Sequence, residues 1–206
     1  MTESRKVNET ILHHDTGKPQ NIIIELVDSG EIKGKVLEIG CGTGENSLHI
    51  AGAGHPALGI DPSKEAVLIA KQKSEVMLAR RGICARFKQF IPQNLGLISE
   101  SFNAIIDHAT FQTIPIEERE TYARSMVPLL EPGGSIILII TSTSENLTVR
   151  SESDVIKAVE HNFPQDFCIK NIREILYETG HIEEYVKGWE CSITRGEIIH
   201  AKSIAE

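Results

Sequence analysis

The residues whose types and spacing can do chemistry lie between positions 36 and 61. Val36-Leu37-Glu38-Ile39 is a short, mainly apolar run, and Gly40-Cys41-Gly42-Thr43-Gly44 follows it directly. Alternating glycines permit a tight turn and let a ligand approach the backbone closely. A second apolar run, Ala57–Ile60, ends at Asp61, 21 residues after Gly40. A carboxylate at that place can accept both hydroxyls of a ribose. A dinucleotide site calls for GxGxxG, with a pyrophosphate resting on the following helix. Here the third glycine comes one residue early, and Glu45 stands where the last one belongs. A carboxylate at that point repels phosphate, and Glu38 adds a second acid beside the loop.

These residues suit a ligand with a ribose, a positive charge and no phosphate. S-adenosyl-L-methionine, with its ammonium, carboxylate and sulfonium, has that chemistry. A lone GxGxG also occurs as a simple turn; the strand before it, the helix after it and the acid at Asp61 are what raise it to a nucleoside site.

The elements that must position these groups alternate. Strands are expected at Lys35–Gly40, Ala57–Ile60, Cys84–Phe90, Phe102–Asp107 and Ser135–Thr141, the last a β-branched run suited to burial on both faces. Helices are expected at Glu45–Ala53, at Ser63–Arg81 with Ser63 as N-cap and Gly82 as stop, at Ile116–Leu130, and at Ile169–Thr179 closed by Gly180. Thr141–Asp166 reads as loop. Two final strands, near His181–Trp189 and Glu197–Ile204, are expected to pair as a hairpin at one edge. The expected fold is therefore α/β: a Rossmann-like, doubly wound, mostly parallel seven-stranded sheet with helices on both faces and the last strand antiparallel. Residues 1–30 read as an N-terminal helical cap, with Ile22, Ile23, Leu26 and Val27 on one face, and residues 31–206 as the core of a single domain.

Length and composition bound the function. The chain has 206 residues, 40% hydrophobic and 24% charged, which is ordinary for one globular domain. The net charge is −8, and Lys and Arg are scattered, the densest pair being Arg80-Arg81. Nucleic-acid and anionic-membrane binders usually carry a basic stripe, so composition weighs against both partners. MTESRKVNET lacks the apolar stretch of a secretory signal, and no apolar run approaches the ~20 residues of a membrane span. Cys41, Cys84, Cys168 and Cys191 form no CxxC pair, which fits reduced thiols and a cytoplasmic location. His13-His14 has no Cys, Asp or Glu partner at ligand spacing, so no metal is expected.

VLEIGCGTGENS, GIDPSKEAVLIAKQK, FNAIIDHATFQTIP and LLEPGGSIILI together resemble the class I S-adenosylmethionine-dependent methyltransferases, over about residues 11–145. His14-Asp15-Thr16-Gly17-Lys18-Pro19-Gln20, GENS and DHATFQ resemble the small-molecule branch of thiol, thiopurine and halide methyltransferases. The resemblance implies that Gly40, Cys41, Gly42 and Gly44 lie against the methionine and ribose, that Glu38 receives the methionine ammonium directly or through water, and that Asp61 holds the ribose. It implies that Pro62 flanks adenine, that Asp107 and His108 close the methionine side, and that Asp15–Gln20 forms part of a lid. Family members often carry an acid where Ile91 stands, which implies an adenine contact here that is apolar or made by backbone alone, with Gln89 or Gln93 as substitutes. The frequent His and Gly of the D-x-G-x-F-H segment are Gln112 and Ala109. No NPPY-like tetrapeptide follows the fourth strand, unlike the adenine-N6 and glutamine methylating branches.

Methyl transfer from a sulfonium releases a neutral thioether, so the protein mainly aligns nucleophile, methyl and sulfur and excludes water. A thiol needs little base assistance; a phenol, alcohol or amine benefits from one. The candidate bases are His108 and His14, each of which has an alternative reading as a surface or structural histidine. His13, Asp15, Phe111 and Gln112 are candidate acceptor contacts, Phe111 equally as packing beneath the next helix, and Trp189 reads as core. The leading expectation is methylation of sulfur, nitrogen or oxygen of a small-molecule acceptor, by a monomer or homodimer. The alternatives are a cofactor sensor or non-methylating enzyme of the same fold, and a nicotinamide oxidoreductase.

Overall fold

The computed structural model describes residues 16–142, 149–179 and 185–195. The described strands form one seven-stranded sheet built from β1 (Val36–Ile39), β2 (Ala57–Asp61), β3 (Arg86–Gln89), β4 (Phe102–His108), β5 (Leu130–Thr141), β6 (Phe167–Glu178) and β7 (Tyr185–Arg195), in the order β3-β2-β1-β4-β5-β7-β6. β1 pairs in parallel with β2 and β4, β2 with β3, and β4 with β5. β7 inserts antiparallel between β5 and β6. The strand order therefore reverses at β1, and the connections after β1 and β4 lead to helices on opposite faces, leaving at the carboxyl ends the crevice where this architecture binds ligands.

The helices cover both faces. α1 (Asn21–Asp28), α2 (Glu45–Gly52) and α3 (Lys64–Arg81) belong with one face; α4 (Arg119–Met126) and α5 (Glu152–Asn162) belong with the other. β5 shows why its run is continuously apolar: Ile136, Leu138 and Ile140 enter one core while Ile137 and Ile139 enter the opposite one. α1 buries Ile22, Ile23 and Leu26. Ser63 caps α3 by accepting from the Ala66 N–H, and Gly82, at φ +69°, ends it. Trp189 is buried.

The C-terminal third departs from the sequence expectation. Ile169–Thr179 is not a helix but most of β6, whose register on β7 runs from Phe167↔Arg195 to Glu178↔Tyr185. Ile169, Ile172 and Ile175 recur every third residue and mimic helical spacing. The register shift between Ile169 and Asn171 breaks the strand's alternation and hides its period of two. The expected 181–189/197–204 hairpin is instead a β6–β7 hairpin, and the strand expected near Glu197–Ile204, like Gly180, lies outside the described residues. Thr141–Asp166 contains α5, opened by a capping box between Ser151 and Asp154. Ile116–Leu130 is one α-helical segment, α4, flanked by 3-10 turns.

Candidate functional site

A cleft of about 780 Å³ opens at the carboxyl ends of β1, β2 and β4. Its floor is the loop after β1. Gly40 (φ +80°) turns the chain directly under the next strand's loop: a Cβ there would stand 2.3 Å from Thr110 Oγ1 and 2.8 Å from the His108 carbonyl. Gly42 (φ +51°) differs, since a Cβ there would meet nothing and would project into open space. This is an open backbone face of the kind a bound ligand can press against.

Asp61 flanks the loop. Its Oδ2 accepts the Gly42 N–H at 2.9 Å and its Oδ1 accepts the Ser63 N–H at 2.8 Å. Partial burial raises its pKa, opposed by those two bonds. Two of its roughly four lone-pair sites remain available for hydroxyl donors. Pro62, Ile91 and Pro92 line the same end, and Gln89 spends its side-chain amide on the Pro62 carbonyl at 3.1 Å. This end of the cleft is thus mainly apolar.

Glu38 is fully buried and does not reach the cleft wall. Its oxygens accept from Asn46 Nδ2 at 2.8 Å and Ser47 Oγ at 2.5 Å, and burial pushes its pKa up to about 7 despite those bonds. Asn46 does line the cleft, and its Oδ1 accepts the Gln20 N–H at 2.9 Å. Gln20 in turn bonds both ways to the backbone of Glu178, donating to its carbonyl at 2.8 Å and accepting its N–H at 3.1 Å. The segment before α1 is thereby tied to the end of β6. Lys18 reinforces the tie through an ion pair with Glu178 at 2.7 Å.

The sequence argument from Glu45 needs correction. Its carboxylate pairs with Lys73 on α3 and accepts from Thr43 Oγ1 at 2.6 Å. It is therefore not a bare anion, and the early third glycine, rather than charge alone, distinguishes the loop from a pyrophosphate site. Gly44 does not line the cleft either; as left-handed N-cap of α2 (φ +92°) it lets Phe87 and Ala70 pack close, where a Cβ would clash.

The far end of the cleft is set by the loop after β4. Asp107 is buried behind it and accepts from Tyr122 Oη at 2.6 Å and from the Thr110 and Phe111 N–H groups at 2.9 Å each. Burial raises its pKa to about 6. Asp107 thus shapes the loop from behind rather than facing a ligand. Phe111 is fully buried among Tyr122, Phe163 and the Arg119 guanidinium, so the packing reading describes it. Gln112 lines the cleft but clamps the loop to β5, donating to Thr141 Oγ1 at 2.7 Å and accepting the Thr141 N–H at 2.6 Å.

His108 lies half-buried at the wall, its Nδ1 3.4 Å from the Gly40 carbonyl and its Nε2 3.3 Å from Tyr177 Oη. Gly40, Cys41, Gly42, Asp61, Pro62, Ile91, His108 and Gln112 therefore meet at one cleft, while His13, His14 and Asp15 lie outside the described residues. Tyr177, Thr179 and Val186 also line it. The sequence reading missed Tyr177 and Thr179 because it took residues 169–179 as a helix, and Val186, inside an expected strand, carried no signal that placed it at the cleft.

Residues 36–134 match a family described as a methyltransferase domain. A 2-heptyl-1-hydroxyquinolin-4(1H)-one methyltransferase of Mycobacteroides abscessus is 34% identical over 60% of the chain and 53% of its own length. Over residues 36–134, just under half of its length, the chain is similar to methyltransferases. A probable thiol methyltransferase of Arabidopsis thaliana is 30% identical over 64% of the chain and 57% of its own length. The chain thus spans little more than half the length of these curated relatives. A structure from work on conversion of a disulfide bond into a thioacetal group during echinomycin biosynthesis covers 89% of this chain and 84% of its own, with TM-score 0.76 and 26% identity. The open face at Gly42 and the carboxylate of Asp61 fit the methyltransferase cofactor in shape and donor chemistry.

Proposed function

We propose that this protein transfers a methyl group from S-adenosylmethionine to sulfur, nitrogen or oxygen of a small-molecule acceptor by in-line displacement. The observation that carries the reading is the single cleft running from Asp61 across the open Gly42 backbone to His108. The cofactor would supply an electrophilic methyl on a cationic sulfur, and no acid is needed for the departing thioether. Asp61 takes the ribose hydroxyls, Pro62 and Ile91 sandwich the adenine, and the backbone of Gly40, Cys41 and Gly42 supports the methionine portion. Glu38 acts on the methionine ammonium through Asn46, which it orients. Asp107 holds the loop that presents His108, the candidate base. His14 is the second candidate base, and His13, Asp15 and Gln112 belong to the acceptor end.

The reading takes residues 1–206 as one domain, capped by residues 1–30. It carries a cytoplasmic monomer or homodimer that acts on a small molecule rather than on nucleic acid or membrane, supported by the −8 charge. Titration calorimetry with S-adenosylmethionine and S-adenosylhomocysteine, followed by product mass after incubation with thiols, phenols, amines and halides, tests it. Micromolar binding and a 14-dalton gain on one acceptor class are expected. Binding of NADH with no binding of S-adenosylmethionine would overturn it.

A further inference from the structure

Tyr177 is the one cleft residue with an ionisable hydroxyl, among those described, that the reading above leaves without a task. It sits near the end of β6, paired with Val186 of β7, and both face the cleft. Its ring lies 5.5 Å from that of His108, and its Oη is 3.3 Å from His108 Nε2. The other ring nitrogen of His108 faces the Gly40 carbonyl at 3.4 Å. A carbonyl oxygen only accepts, so Nδ1 carries the proton and Nε2 offers its lone pair to the Tyr177 hydroxyl. Both contacts are long, as catalytic hydrogen bonds often are before substrate binds.

We propose that Tyr177 is a catalytic residue that passes the acceptor's proton to His108, and that the acceptor is therefore a phenol-type hydroxyl that still holds its proton at neutral pH. The proposal rests on the methyltransferase reading. In the step, the acceptor O–H bond breaks and its proton moves to Tyr177 Oη. The proton that Tyr177 held moves to His108 Nε2. The freed oxygen lone pair forms the bond to the methyl carbon, the carbon–sulfur bond of the sulfonium breaks, and its electron pair stays on sulfur as a neutral thioether. His108, left as imidazolium, returns its proton to solvent. Tyr177 is a conduit that never stands as phenolate, consistent with burial and the Glu38 charge, which hold its hydroxyl protonated. A thiolate acceptor would leave the relay idle.

The test is a series of substituted phenols of graded acidity, at one pH and with saturating S-adenosylmethionine, on the full chain. Wild type should methylate members that keep their proton. Tyr177→Phe should lower kcat by about threefold on members already ionised and by about a hundredfold or more on those that are not, the usual scale of proton-transfer catalysis. His108→Asn should show the same graded loss, and the double variant should lose no more than either single one. If Tyr177→Phe fails to fold, His108→Asn carries the grading alone. A loss equal across the series, or losses that multiply in the double variant, would overturn the relay. Wild type that methylates only ionised acceptors or thiols overturns the relay and leaves the methyltransferase reading standing. Wild type that binds S-adenosylmethionine but methylates none of the phenols overturns the relay alone; the methyltransferase reading falls only if S-adenosylmethionine does not bind.

Discussion

Replacing Glu38 with glutamine should make the protein's stability less dependent on pH, and the size of the change follows from the site. Glu38 is completely buried, and burial, opposed by its bonds to Ser47 and Asn46 and reinforced by the nearby Glu45, lifts its pKa from 4.5 to about 7. The folded protein therefore holds a proton that the unfolded chain has already lost between pH 4.5 and 7. Stability contributed by this group is highest below pH 4.5, falls as pH rises through that window, and is lost in full above about pH 7. At about 1.4 kcal/mol per pKa unit, the loss amounts to roughly 3 kcal/mol. Glutamine is neutral throughout and can keep both bonds, since the Ser47 hydroxyl can turn to accept instead of donate. Asp107 titrates nearby in pH, but it is common to both proteins and cancels in the difference. Urea unfolding at pH 5 and pH 8 is the assay: wild type should lose about 3 kcal/mol relative to Glu38→Gln between the two. Parallel stabilities at both pH values would show that Glu38 is not held protonated by burial. If Glu38 also senses the cofactor's ammonium through Asn46, wild-type affinity for S-adenosylmethionine should tighten from pH 6 to pH 8, and that trend should flatten in the variant.

Other residues give sharper readouts of single contacts. Asp61→Asn should weaken S-adenosylmethionine binding by about 1–3 kcal/mol, roughly 5- to 160-fold in Kd by calorimetry, because hydroxyl donors would face an amide NH₂; an unchanged Kd would remove the ribose assignment. Gly42→Val should fold with a modest strain cost, on the order of 1–2 kcal/mol, yet abolish cofactor binding, since its side chain would project into the cleft. Gln20→Ala leaves the N–H and carbonyl of Glu178 without their partners; the expected result is faster hydrogen exchange at the Glu178 amide and weaker cofactor binding, with exchange at Ile106 in the sheet centre unaffected. Tyr122→Phe strips one donor from buried Asp107 and should destabilise the fold by about 1–3 kcal/mol, read as a lower midpoint in denaturant.

Much of the site was legible because its parts are local. The glycine spacing after β1 and the acid at the end of β2 follow from backbone geometry; Gly40, Gly42 and Asp61 come to the cleft, while Gly44 turns away to let Phe87 and Ala70 pack. Most of the parallel strands were legible for the same reason, being short apolar runs bounded by turn residues; β3, Arg86-Phe87-Lys88-Gln89, buries only Phe87 and lies at the sheet edge. Roles that depend on where a side chain points were not legible. Glu38 and Asp107 look alike as acids at strand ends, yet both point inward to neighbours, Asn46, Ser47 and Tyr122, that are distant in sequence or on a different element. Phe111 could not be placed in pocket or core until Phe163, the residue that ends the unpredicted helix α5, packed against it.

The sequence by itself determined that the chain folds as alternating strands and helices with a glycine-floored cleft and an acid at the end of the second strand, since turn chemistry and two-sided burial are written in contiguous residues. Tertiary structure alone decided that residues 167–178 form a strand, because β7 supplies hydrogen-bond partners that outweigh a helix-like spacing of isoleucines. That one decision carries Tyr177 across the sheet edge to His108. Their meeting joins residues 69 positions apart in the chain, so no local pattern could have announced it.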